Sequence, residues 1–441
     1  MRTTTVRVVC ALAAALLAGT GAPAAHARTA PASASASAPA FVATGGDPVR
    51  VNVSSDGAPA DDWSEPLGLS ADGRYALFTS LASNLVSGDT NRLYDVFVRD
   101  LWTRRTERVS LADDGAQLSG SSSQAAISAD GRYVAFSSDA VNAVAGHDSG
   151  RTDVYVRDRV TGRTELVTAG TGTGNSVSPA ISADGRYVAY SSDRADLAPG
   201  AREGTANIYL TDRRTGTTRL VTAGRGGAPA DGGSVEPSLS ADGRTVAFRS
   251  KAANLPVATQ ATPPTPAAPL VAALPKPPPT RQLFPLYVYD ARTGRIEGAS
   301  IDPSGALRDA ARQGRLSPDG RYALFRVFQP DQGGTRVALH ARDLRTGTVT
   351  EVAPAGTQPA VVTADDRWVY FVSDAAGLVP EDTDAAPDLF RRDLRTGRIE
   401  RVAQGVGPSF APAVDALGVT ALYGALDGTR ADVLVRYLPP R

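Results

Sequence analysis

Beyond the N-terminal segment the chain has two histidines, His147 and His340. Imidazole is the side chain best suited to moving protons or holding a metal near neutral pH. The two stand in different sequence contexts, and two are too few for a His-rich metal centre. Each therefore reads as a solvated or turn histidine. Two acidic stretches, GDTNRLYD at 88–95 and EDTDAAPD at 381–388, space oxygen ligands as Ca²⁺ would need them. Both lack the central Gly and distal Glu of an EF-hand, so Asp and Asn are expected to cap turns there. Arg74, Arg132 and Arg186 each follow an Asp-Gly pair and could in principle hold an anion. They recur once per unit, which marks them as architecture, as solvated turn residues. No Ser-His-Asp or Cys-His arrangement stands out. The expectation is no catalytic, cofactor-binding or metal-binding residue and no cofactor.

Residues 1–27 carry Arg2 and Arg7, an apolar run from Val8 to Leu17, and Ala25-His26-Ala27. This is the layout of a secretory signal cleaved after Ala27, and the run is too short to cross a bilayer comfortably. A secreted protein without a transmembrane anchor is expected. The single cysteine, Cys10, lies inside that run, so cleavage leaves neither disulfides nor thiol chemistry. Cleavage also takes two of 46 basic residues, leaving 44 against 46 acidic ones. So even a balance leaves no basic footprint for nucleic acid. Residues 28–47 are an Ala/Ser/Pro leader that buries too little to order itself.

From residue 48 to 441 the chain repeats. SADGRYALF (70–78), SADGRYVAF (128–136), SADGRYVAY (182–190), SADGRTVAF (240–248), SPDGRYALF (317–325), TADDRWVYF (363–371) and DALGVTALY (415–423) are seven copies of one signature. A second signature follows each: DVFVRD from Asp95, DVYVRD from Asp153, NIYLTD from Asn207, LYVYD from Leu286, DLFRRD from Asp388, and degenerate copies from Arg336 and Asp432. Short runs rich in Val, Tyr and Phe, bounded by Gly and Asp, are strands, and Asp-Gly supplies the turn between them. Val134 and Phe136 face one way, Tyr133 and Ala135 the other, so both faces are apolar. Such sheets must be sandwiched between neighbours, and a closed ring of them leaves no bare end.

The segment VRVNVSSDGAPADDW from Val49 matches the outer strand and link of a repeat, as in ERVSLADDGAQ from Glu107, while the last copy stops after its inner strands. The fold class predicted is all-β: a seven-bladed propeller of four-stranded antiparallel blades, closed by the N-terminal strand pairing with the C-terminal blade. A Pro-rich insertion at 252–285 interrupts blade four and reads as a tolerated surface loop.

These units resemble the WD40-like (PD40-type) propeller repeats of TolB and related secreted bacterial proteins, whose pattern is S-P-D-G-x-x-[IV]-A-F followed by D-[IV]-Y-V-x-D-x-x-T-G. The resemblance covers nearly all of the chain after the leader. It implies four-stranded blades around a channel, with binding at a channel mouth or on a rim. The Ala/Ser/Pro leader stands where TolB proteins carry an α/β domain, so a place in a Tol machine is not expected. The function expected is non-catalytic binding of a protein, peptide or glycan at one face of a monomeric ring. The alternative is a carbohydrate-active hydrolase or lyase with paired carboxylates at the channel mouth.

Overall fold

The computed structural model describes residues 46–256, 284–302, 306–310, 314–331, 334–354, 360–407, 410–427 and 430–439. The signal and leader readings, and most of the Pro-rich insertion, lie outside the described residues. Among the described residues, 28 strands form seven four-stranded antiparallel sheets.

The recurring signature explains each blade's first hairpin. In blade 1 the Ser70 hydroxyl donates to Asp72 at 2.6 Å and accepts from the Tyr75 N–H at 2.8 Å. Asp72 accepts from the Arg74 N–H at 3.0 Å, and Gly73 takes a left-handed φ of 72°. The turn thus needs Ser, Asp and Gly at those positions, and it joins Ser64–Leu69 to Tyr75–Ser80. Asp95–Asp100 and Arg105–Arg108 complete the sheet toward the rim.

Each of blades 1 to 6 carries a stacked ring pair on its two middle strands, from Phe78–Phe97 at 5.6 Å to Phe371–Phe390 at 5.8 Å. The apolar cores lie between blades rather than within them. Leu77, Val96 and Val98 of blade 1 share a core with Val134 and Phe136 of blade 2. Ala135, Val154 and Val156 on the opposite face of blade 2 pack with Val188 and Tyr190 of blade 3. The remaining five cores likewise each span two neighbours. Hence a lone blade would expose two greasy faces, and the sevenfold stack exposes none.

The ring closes as the repeats require. Val49–Arg50 pairs with the C-terminal strand Arg430–Tyr437, Val49 opposite Val435 and Arg50 opposite Leu434. Val51 donates its N–H to the Val433 carbonyl at 2.7 Å, and Arg50 meets Asp432 at 2.5 Å. The innermost strands touch in succession, and the seventh, Ala413–Val414, touches the first. A belt of backbone bonds reinforces the first-hairpin end: Ala71 donates to Ala129, Ala129 to Ala183, Ala183 to Ala241, Ala241 to Pro318, Ala364 to Ala416, and Ala416 back to Ala71, all at 2.7–3.0 Å. One link is missing, because Pro318 has no N–H to give toward blade 6.

Candidate functional site in the central cavity

The innermost strands are sheet edges, so one side of each faces the ring axis. They enclose a cavity of about 440 Å³ lined from blades 1 to 5 and by Phe410 and Ala411 before blade 7, a size that suits a small ligand or a chain segment. Pro66, Pro179 and Pro237 sit in these strands, as edges alone allow. At equivalent positions of blades 2, 3 and 4, Gln124, Ser178 and Glu236 adopt φ of 48°, 57° and 57°, next to register shifts in the ladder. Left-handed backbone at a non-glycine residue costs about 1–2 kcal/mol. Its repetition on the cavity wall is the kind of strain that gathers at binding sites, since a bulge re-aims the side chain it carries.

The wall's polar side chains are mostly committed. Gln124 accepts the Ser178 N–H at 3.0 Å across the seam between blades 2 and 3. Glu65 accepts the Trp63 indole N–H at 2.8 Å. Glu236 accepts from Arg249 Nη1 at 3.0 Å, and that guanidinium lies 4.0 Å from the centre of the Phe284 ring. Glu65 and Glu236 stand on blades 1 and 4, with two blades between them. They are not a pair on adjoining strands of the sort that would divide acid and base roles.

Arg315 differs. On its innermost strand Arg315–Leu316 it occupies the position filled elsewhere by Gly68, Ala126, Ala180, Ser238, Val361 and Ala413. It lines the cavity, and its side chain forms no hydrogen bond or ion pair with the other described residues. Half-buried at the wall, it has its pKa lowered by desolvation, with no acid among the described residues to offset this. Registering the seven copies of the first signature and reading two residues upstream exposes this single large cation. The strained backbone at Gln124, Ser178 and Glu236 has no such signal, because neither residue type nor spacing announces it.

The residues singled out from sequence lie away from this cavity. Arg74, Arg132 and Arg186 are not the solvated turn residues expected. Each forks onto the Asp ending its blade's third strand, at 2.7, 2.7 and 2.6 Å, and lies over the Tyr beside it. His340 is a core residue: it takes the third-strand aromatic position of blade 5 and stacks on Phe325 at 5.7 Å. His147 sits in a loop, its Nε2 3.0 Å from Asp153. Burial would raise the Asp153 pKa, but hydrogen bonds from His147, Ser149 and Thr168 hold it below the usual carboxylate range. Arg194 of blade 3 also reaches Asp153, at 3.1 Å, so His147 belongs to a structural network across a seam. In the first acidic loop, Asp89 accepts from Gln117 and Asp95 from Ser110 and Arg108. Among the described residues no three His, Cys, Asp or Glu side chains gather as a metal-holding group. No helix among them is long and apolar enough to cross a membrane.

Fold and cavity define a closed seven-bladed propeller with a walled axial pocket. No protein-family model and no curated protein matches the chain. Solved structures do. An oligogalacturonate lyase in complex with manganese is similar at 12% identity and a TM-score of 0.56, over 88% of this chain and 92% of that one. An oligogalacturonate lyase from Vibrio parahaemolyticus is similar at 12% identity and 0.55, over 88% and 93%. A putative TolB from Agrobacterium tumefaciens is matched at 18% identity and 0.41, over 78% and 98%. At 12% identity the lyases show that the propeller fold is shared, and no more. The fold is also the one that the resemblance to TolB-like repeats implied.

Proposed function

We propose that this protein is a secreted, non-catalytic binding module that takes a segment of a protein, peptide or glycan into the axial cavity. The observation that carries the reading is the division of labour among its side chains. Acids that could do chemistry, Glu65 and Glu236, are each held by a donor and stand with two blades between them. The strained Gln124, Ser178 and Glu236 and the unpaired Arg315 meanwhile point to recognition at the wall. The proposed signal at 1–27 places the module outside the cytoplasm. An anchor-free ring with a roughly neutral charge balance then meets its ligand by shape and local polarity rather than by long-range attraction.

Plugging the cavity tests this. Ala411 lines it from the segment before blade 7, outside the paired strands, and Ala411→Trp fills it. Capture of a partner from the envelope and medium of the secreting cell is expected for the natural chain and to fall at least about tenfold for the variant at an unchanged melting temperature. Turnover of any member of a polysaccharide panel, lost on changing Glu65 or Glu236, would overturn the reading in favour of an enzyme.

A further inference from the structure

We propose that Arg315 is the recognition residue of a carboxylate subsite in the axial cavity, one that takes the free carboxylate of an extended peptide. The inference deepens the binding reading above and rests on it. A guanidinium held half-buried on a cavity wall without a partner leaves its N–H donors free for an anion. Blade 5 alone places such a group on the innermost strand, at a position otherwise held by Gly, Ala, Ser or Val. Neither acid of the wall contacts it: Glu236 is paired with Arg249, and Glu65, on blade 1, accepts the Trp63 indole N–H. Arg offers two parallel N–H donors that match the two oxygens of a carboxylate, a geometry that selects it over spherical anions. Leu67, Ile181, Leu239 and Phe410 supply apolar surface around the site. That surface suits the apolar side chains of a peptide that ends at Arg315.

The test follows the Arg315 Nε–H resonance in the full ¹⁵N-labelled chain. N-acetylglycine, which ends like a peptide, should shift it saturably, and its neutral twin N-acetylglycinamide should not. In Arg315→Ala the same titration, read at the Leu316 amide, should weaken roughly 10- to 100-fold, with part of the affinity kept in Arg315→Lys. The melting temperature of Arg315→Ala should equal or exceed that of the natural chain, since no native ion pair is lost. A drop would mark Arg315 as a structural residue and overturn the proposal. So would equal response to both probes, no saturable shift, or binding of glucuronate in place of N-acetylglycine. Partner capture that survives Arg315→Ala sinks this subsite and leaves the binding reading standing; saturable N-acetylglycine binding without any captured partner does the reverse.

Discussion

The seam between blades 1 and 2 and the seam between blades 5 and 6 solve the same packing problem with different residues. At the first, Ala71 donates its N–H to the Ala129 carbonyl at 2.8 Å. Gly131 lies under the Tyr75 ring so closely that a Cβ would come within 2.2 Å of it. Arg159 of blade 2 covers the same ring at 4.3 Å and bonds Glu107 of blade 1 at 2.7 Å. At the second, Pro318 has no N–H, Asp366 stands where the glycine should be, and Leu394 replaces the arginine. The repeat is therefore maintained by what each blade does to its neighbour; the seam between blades 5 and 6 lacks all three elements, whereas that between blades 3 and 4 keeps the belt bond and the glycine with Ala291 in the arginine's place. What holds the weaker seam is its apolar core, with Leu324 and Leu339 against Val369 and Phe371.

The comparison breaks most sharply at Gly131. Its φ is 72°, and alanine there meets both a disfavoured backbone and the Tyr75 ring. Gly131→Ala should cost about 2–4 kcal/mol, read by denaturant unfolding. A loss below about 1 kcal/mol would mean that the ring moves aside freely and that the glycine is there for its turn alone.

The opposite substitution sharpens it. Asp366 holds a φ of 57° and faces Asp319, with Arg321 3.7 Å away. Burial first, then the Asp319 charge and a hydrogen bond to Asp319, push its pKa up to about 6. The folded chain thus holds this proton more tightly than the unfolded chain, whose Asp titrates near pH ~3.9. Stability from this group is fully present below about pH 4 and is lost as pH rises through about 6. After discounting for solvent screening the loss is of the order of 1 kcal/mol. Asp366→Gly removes both the strain and the repulsion. It should stabilise the ring by roughly 1 kcal/mol at pH 7, and the gain should shrink toward pH 4.5. Melting curves of both proteins at the two pH values check this, and a gain independent of pH would assign the whole effect to the backbone.

How much of this was legible depends on the level. The blade count, the two-faced strands and the closure by Val49–Arg50 all follow from recurrence, because a unit with apolar residues on both sides leaves few other arrangements. The Ser-Asp-Gly turn was legible as a turn, but its second task was not. That Gly131, Gly185 and Gly243 also lie beneath Tyr75, Tyr133 and Tyr187 depends on how neighbouring sheets approach, which no single repeat encodes. His340 was misplaced for a related reason: taken alone it is a polar residue, and only alignment with Phe97 and Tyr155 shows that it fills an aromatic slot. At the site, recurrence drew the eye to Arg74, Arg132 and Arg186, which serve the frame, and away from Arg315, which breaks the pattern.

The smallest effect tests whether the belt itself carries weight. Pro318→Ala restores an N–H at the one turn of the belt that lacks it, where the partner is the Ala364 carbonyl by analogy with Ala71 and Ala129. A new backbone bond is worth about 0.5–1.5 kcal/mol net. Replacing proline also frees the unfolded chain, which costs about 0.4–1 kcal/mol where the native backbone suits proline. The two nearly cancel in total stability, so the melting temperature should move little. Amide exchange separates them: the N–H that the substitution introduces should be protected to the degree of its counterparts at Ala241 and Ala129. Fast exchange at that position would show that blades 5 and 6 stand too far apart for the bond, and that their seam differs in spacing as well as in chemistry.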